Sequence, residues 1–196
     1  MDIAEFTPET SRIFFALCYG KSKVTEIARL LKKKRTTVSD VVNKLYRLKL
    51  ARKKKKGRDV FYSIDWNYFY KLVYFNFLLS PLKLKETLKE GELSPLFKTI
   101  KEQNLLENFA REVSKFMFEY KEEKGKEMRK VYEAYFRNYT LSRFISSFFI
   151  SLCKLARNER TFSKRDKKTL EKIRDYFLIP TMLEELILKE VLKTKL

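Results

Sequence analysis

Apolar residues recur at intervals of three and four from Ile13 to Cys18, from Ile27 to Leu31 and from Val38 to Leu48, then alternate at Val60, Tyr62 and Ile64. This change of period predicts three helices followed by a β-hairpin. The first helix begins where Thr7 offers an N-cap and Pro8 the first helical position; it buries Ile13, Phe14, Leu17 and Cys18 and stops at Gly20. Thr25 is the candidate cap of the second, whose Ile27, Ala28, Leu30 and Leu31 face inward before the basic turn Lys32-Lys33-Lys34-Arg35. Thr36 is the candidate cap of the third, in which Val38, Val41, Val42, Leu45 and Leu48 form one buried stripe. Beyond Leu50, Ala51-Arg52-Lys53 predicts a strand, Lys54-Lys55-Lys56-Gly57-Arg58 a turn, and the alternating residues a return strand.

Residues 65 to 196 carry no strand pattern and predict an all-α region. Ser80-Pro81, Ser94-Pro95, Ser163 and Thr181 offer helix starts, while Gly91, Gly125, Asn158 and Pro180 offer stops. Trp66, Tyr68, Phe69, Tyr70, Tyr74, Phe75 and Phe77 crowd nearly every face of one helix, which predicts burial on several sides and suits a link to the later helices or a dimer seam. A helix is expected from Pro95 to about Glu123, with Phe109, Val113, Phe116, Met117 and Tyr120 on one stripe. Another is expected from Lys126 to Arg157, either unbroken or divided near Asn138; it carries Met128, Val131, Tyr135, Tyr139, Leu141, Phe144, Ile145, Phe148, Phe149, Leu152 and Leu155. Ser146, Ser147 and Ser151 would admit close approach of a neighbouring helix, and Leu183, Leu186, Ile187 and Val191 give the last helix an apolar face. The same aromatics also suit a pocket for a small apolar effector, with core and subunit interface as the plainer reading.

Charge changes this picture. Between Lys21 and Arg58 stand sixteen Lys or Arg and two acids, Glu26 and Asp40, for a formal +14 out of +19 for the 196 residues. Such a surface seeks nucleic acid, an anionic membrane or an acidic protein. The basic run falls on an expected hairpin rather than an amphipathic helix, which disfavours the membrane. The longest apolar run, Phe144 to Leu155, is too short to span a bilayer, and acids stand near Met1 where a signal peptide needs bases. Two cysteines, Cys18 and Cys153, make no secreted disulfide framework, so a reduced cytoplasmic setting is expected, and the sequon at Asn138-Tyr139-Thr140 carries no weight there.

The chain has no histidine, which excludes imidazole bases, histidine-dependent triads and most zinc sites. Its four glycines, Gly20, Gly57, Gly91 and Gly125, are scattered and form no phosphate-cradling loop. An enzyme would have to use carboxylates with a hard metal such as Mg²⁺, as nucleases do, yet Glu122, Glu123, Glu184 and Glu185 stand among lysines as helix-surface pairs. No enzyme activity, cofactor or metal is expected.

The face of the third helix opposite its apolar stripe carries Thr36, Asp40, Asn43 and Arg47, with Thr37 and Lys44 beside it, all groups able to hydrogen-bond base edges or phosphates. An ordinary solvated face with an Asp40 to Lys44 pair is the bland alternative. Four consecutive lysines on a hairpin repel one another, a cost that a polyanion relieves. Through Val24-Thr25-Glu26-Ile27-Ala28-Arg29-Leu30-Leu31, Thr36-Thr37-Val38-Ser39, the Leu45 to Leu50 exit and Arg58-Asp59-Val60-Phe61-Tyr62-Ser63-Ile64, residues 12 to 64 resemble the winged helix-turn-helix domains of ArsR- and MarR-type transcription regulators of archaea and bacteria. The resemblance implies a third helix in the DNA major groove, a wing on phosphate or the minor groove, and a homodimer. By position it makes Thr36, Thr37, Ser39, Asn43 and Arg47 groove candidates, and Lys53, Lys54, Lys55, Lys56 and Arg58 backbone candidates; Lys34, Arg35, Asp40 and Lys44 complete the DNA-binding set. Metal sensing is not carried over, because the third helix has neither cysteine nor histidine, and Lys49 stands where such domains usually place a glycine.

The expectation is therefore a mainly α chain: a winged helix-turn-helix on residues 1 to 65 and an α-helical dimerisation or effector region on 66 to 196. The expected function is sequence-specific double-stranded DNA binding in transcription regulation. The rival is a winged-helix module of transcription initiation or replication that binds nucleic acid without sequence choice or binds a protein partner.

Overall fold

The computed structural model describes residues 6–78, 90–119, 134–158 and 162–174. Among them the chain is mainly helical, with one two-stranded antiparallel hairpin. Helix α1 spans Pro8–Cys18, α2 Val24–Leu31 and α3 Arg35–Arg47; strands β1 (Ala51–Lys56) and β2 (Asp59–Ile64) follow. Then come α4 (Trp66–Leu78), α5 (Glu90–Glu102), α6 (Leu105–Glu119), α7 (Leu141–Asn158) and α8 (Lys164–Arg174). The chain forms two compact units, the first from residues 3–69 with 110–141 and the second from 70–109 with 142–196. The unit that holds the hairpin thus extends past residue 65 and takes in a later stretch of chain.

Local chemistry sets the boundaries. Thr7 caps α1 by accepting from the Thr10 N–H at 3.2 Å, with Pro8 behind it, as the sequence predicts. Neither Thr25 nor Thr36 caps a helix. Helix α2 already begins at Val24, because the Glu26 carboxylate reaches back to accept from the Ser22 and Lys23 backbone N–H groups at 3.0 and 3.1 Å. These bonds, Lys23 first, hold the Glu26 carboxyl below its ordinary value. Helix α3 begins at Arg35 with Lys34 at the N-cap and no side-chain cap.

All three front helices end alike. Lys21 N–H returns to the Ala16 carbonyl, Lys33 N–H to Ala28 and Leu50 N–H to Leu45, the six-to-one closure of a Schellman turn. The residue before each closure adopts positive φ: Gly20 at 93°, Lys32 at 52° and Lys49 at 60°. Lys49 therefore takes the left-handed conformation that a glycine would adopt at this exit.

In the first unit, Phe14 of α1 packs on Phe69 at 5.0 Å and meets Trp66 edge-on, while Phe15 meets Tyr139 at 5.7 Å. Ile27, Val38, Val42, Leu45 and Leu50 are fully shielded from solvent. Val41 and Leu48, expected in the same stripe, are half-buried. The buried Ser11 hydroxyl accepts from the Leu141 backbone N–H at 3.0 Å, which ties α1 to the later stretch of this unit.

In the second unit the Phe77 and Phe149 rings meet at a tilt, 4.5 Å apart, Phe97 meets both, and Phe109 packs on Phe144 and Phe148. Burial pushes the Tyr70 phenol up to about 12, and its hydroxyl donates to the Ile100 carbonyl at 3.4 Å. Cys18 and Cys153 are both buried, and the Cys153 thiol donates to the Leu170 carbonyl at 3.0 Å. Ser163 and Asp166 cap α8 reciprocally, so Ser163 begins a helix as expected.

The helix expected from Pro95 to Glu123 is instead α5 and α6, broken at Asn104, whose φ of 52° interrupts the hydrogen-bond ladder. Pro95 lies inside α5 rather than at its start. Lacking an N–H, it cannot donate to the carbonyl four residues back, and the Arg165 guanidinium donates to that Gly91 carbonyl instead. Gly91, expected as a stop, is helical. Residues 134–137 are helical and the chain turns at Asn138 before α7, so of the two options for Lys126 to Arg157 the described part follows the divided one. On α4, expected to be buried on several sides, Phe69, Tyr70, Leu72, Val73 and Phe77 are buried and Phe75 is 53% exposed. Tyr120, Met128, Val131, Leu183, Leu186, Ile187 and Val191, the residues around Ser80-Pro81, Gly125 and Pro180-Thr181, and Glu122, Glu123, Glu184 and Glu185 lie outside the described residues, as does the Leu155 side chain. No helix among the described residues is long and apolar enough to cross a membrane.

Candidate nucleic-acid interface

The hairpin differs from its expected outline in one consequential way. Lysines 54 to 56 do not form the turn; they continue β1, which pairs with β2 from Ala51 opposite Ile64 through Lys56 opposite Asp59. Only Gly57 and Arg58 lie between the strands. Gly57 has φ of 62° and Arg58 stays negative, the sign pattern of a type II′ turn, whose twist matches that of the strands. Because strand side chains alternate, the lysines divide between two faces. Lys53 and Lys55 share the face of Ala51, Tyr62 and Ile64; Arg52, Lys54 and Lys56 share the other with Phe61 and Asp59.

Several polar and aromatic contacts dock this hairpin on the helices. The Tyr62 hydroxyl donates to Asn43 Oδ1 of α3 at 3.2 Å, and Asn43 Nδ2 reaches Ser39 Oγ at 3.4 Å. The Lys53 ammonium stands 6.0 Å from the ring centres of both Tyr46 and Tyr62, a cation between two aromatic faces. On the opposite edge, the Tyr62 N–H donates to the Ser22 carbonyl at 2.7 Å, so the α1–α2 loop extends the hydrogen bonding of β2. Lys23 pairs with Asp59 at 2.7 Å and lies 5.0 Å from the Phe61 ring centre. The Arg52 guanidinium grips Asp65 at 2.8 and 3.0 Å, and Asp65 in turn accepts from the Tyr68 N–H at the start of α4. The bond from Arg52 is the main cause that holds the Asp65 carboxyl below its ordinary range.

Three of the sixteen cations between Lys21 and Arg58 are held in ion pairs: Lys23, Arg52, and Lys33, which pairs with Glu9 at 3.0 Å. The others make no ion pair among the described residues. Of the candidate set, Lys34, Arg35, Thr36, Asp40, Lys44, Arg47, Lys53, Lys54, Lys55, Lys56 and Arg58 are exposed, while Thr37, Ser39 and Asn43 are half-buried. The bland Asp40 to Lys44 pair does not form. Packing of α2 on α3 and of α3 on β1 gathers the basic turn, the outer face of α3 and the hairpin into one unit.

Two outcomes were not legible in the residue pattern. Asn43, placed by position among the groove candidates, has its carbonyl oxygen committed to Tyr62. Tyr46, missed in the sequence, is 47% exposed on α3 beside Lys53. Its place between Leu45 and Arg47 marks it as off the buried stripe, which was the available signal. Among the described residues no group of three or more Cys, Asp or Glu is placed to hold a metal ion. No protein-family model matches this chain, and comparisons with curated proteins and with solved structures find no match either.

Proposed function

We propose that this chain is a winged helix-turn-helix regulator that binds double-stranded DNA as a dimer, with α3 in the major groove and the β1–β2 hairpin on the backbone or minor groove. The observation that carries the reading is the run of exposed cations without ion pairs along the α2–α3 turn, α3 and both faces of the hairpin. So dense a charge repels itself until phosphates neutralise it. The uncapped start of α3 adds backbone N–H groups and the positive end of a helix dipole beside Arg35, Thr36 and Thr37, a further attraction for a phosphate. The order of three helices and a hairpin, with the α1–α2 loop bonded to β2, fits a winged helix. Dimerisation rests on the resemblance and on the two half-sites that groove readers of this kind use.

Within this reading Arg47 is the foremost base reader, Thr36, Thr37 and Lys44 assist, and Lys54, Lys55, Lys56 and Arg58 meet the backbone. Asn43 and Ser39 serve to set α3 against the hairpin. Arg47→Ala should relax sequence choice, with a loss of about 1–3 kcal/mol confined to the preferred duplex. A uniform loss across a duplex panel would remove α3 as the reader.

One observation favours a second reading. Commitment of Asn43 to Tyr62 leaves few short polar side chains for base edges, as suits a winged-helix module that binds nucleic acid without sequence choice in initiation or replication. Equal affinity for unrelated duplexes would select it.

A further inference from the structure

Apart from the α3 and hairpin surface, the first unit holds a cleft of about 390 Å³ at the start of α1. Ile13 and Leu31 supply its apolar wall, and Arg12, Lys33, Arg137 and Glu9 its charged one. Glu9 is taken up by Lys33 at 3.0 Å. The Arg12 and Arg137 guanidiniums make no ion pair among the described residues, and Arg12 is half-buried. Three cations against one carboxylate leave two positive charges uncompensated around a partly enclosed space. Drawing the half-buried Arg12 guanidinium partly out of water without a counter-ion is costly, and a bound anion removes that cost while also meeting the exposed Arg137.

We propose that this cleft is a binding site for a phosphomonoester carrying a small apolar group. A phosphomonoester brings close to two negative charges at neutral pH, which matches the excess; a monocarboxylate would leave one guanidinium uncompensated. The planar forks of two arginines suit phosphate oxygens, and Ile13 and Leu31 receive the apolar substituent. The site is independent of whether the hairpin meets a duplex.

The test is calorimetric titration of the full-length protein with phenyl phosphate at about 150 mM salt, where diffuse attraction to the basic surface is largely screened. Saturable one-to-one binding is expected, with phenol showing none and benzoate binding markedly more weakly. Arg12→Gln/Arg137→Gln should lower affinity by about tenfold or more, since each removes charge-assisted hydrogen bonds. Lys54→Gln/Lys55→Gln on the hairpin should leave it unchanged within about twofold. The single variant Arg137→Gln, altered at an exposed side chain, repeats the test should the double variant melt early. Equal losses from the cleft and hairpin variants, no loss from the cleft variants, benzoate binding as tight as phenyl phosphate, or no saturable binding would each overturn the proposal.

Discussion

Neutralising the hairpin as Lys54→Gln/Lys55→Gln/Lys56→Gln should flatten the salt dependence of duplex binding by an amount fixed by how many of these lysines reach phosphate. All three are exposed and none has an ion pair among the described residues, so none is already compensated within the chain. If all three contact DNA in both protomers of the dimer, six contacts are lost and the slope of log Kobs against log salt falls by about 5.4, at about 0.9 per phosphate contact. Over a change from about 50 to 200 mM salt the variant then loses about 2 × 10³ fold less affinity than the parent, which should lose about 10³ to 10⁵ fold for 6 to 10 contacts per dimer. The register sharpens this, because Lys54 and Lys56 share one hairpin face and Lys55 the other. If a single face of each hairpin meets the duplex, Lys54→Gln/Lys56→Gln reduces the slope of the dimer by about 3.6 and Lys55→Gln by nothing, or Lys55→Gln reduces it by about 1.8 and the pair by nothing. Fluorescence anisotropy of a labelled duplex at five or six salt concentrations measures these slopes. Thermal melting of the free protein should be unchanged or slightly raised, since the substitutions remove like-charge repulsion. Equal slopes for parent and triple variant would refute the argument that the hairpin binds phosphate.

Further outcomes follow from the joints around this surface. Tyr62→Phe deletes the hydrogen bond to Asn43 and should cost about 0.5–1.5 kcal/mol in urea unfolding; a neutral result would mean that this bond does not hold the hairpin to α3. Lys49→Gly relieves a left-handed lysine and should raise stability by up to about 1 kcal/mol, whereas a loss would contradict the assigned α3 exit. The depressed carboxyls of Asp65 and Glu26 give stability that is complete above their unfolded values near pH 4 and is lost as pH falls through their lower folded values. Asp65→Asn should therefore flatten the acid limb of stability against pH. An unaltered limb would show that the grip of Arg52 contributes nothing.

Most of the front of this fold was legible, because its elements are specified locally. Thr7-Pro8, the stripe of Val38, Val42 and Leu45, and the alternation from Val60 to Ile64 each carry one periodicity or one cap. What escaped depends on bonds that cross between elements. Thr25 and Thr36 were plausible caps, yet Glu26 reaches backwards to start α2 early, and α3 starts at Arg35 without any side-chain cap. Lysines 54 to 56 fall with Gly57 and Arg58 in the turn expected from the sequence, but a two-residue turn at Gly57 leaves them paired with β2. Pro95 marks a helix start by rule; inside α5 it is tolerated because Arg165 satisfies the carbonyl it abandons. Among the site residues, exposure of Lys34, Arg47 and Lys54 followed from charge alone. Engagement of Asn43 by Tyr62 required the tertiary packing of hairpin on helix, which no local pattern encodes.

The central claim is that α3 and the hairpin read duplex DNA. Selection of fragments bound by the full-length protein from random duplex DNA, at near-physiological salt, tests it most directly. Recovery of a short inverted repeat, with half-sites about one helical turn apart, is the predicted result. Enrichment of duplexes without any shared motif would contradict a sequence-specific regulator and favour the module that binds without sequence choice.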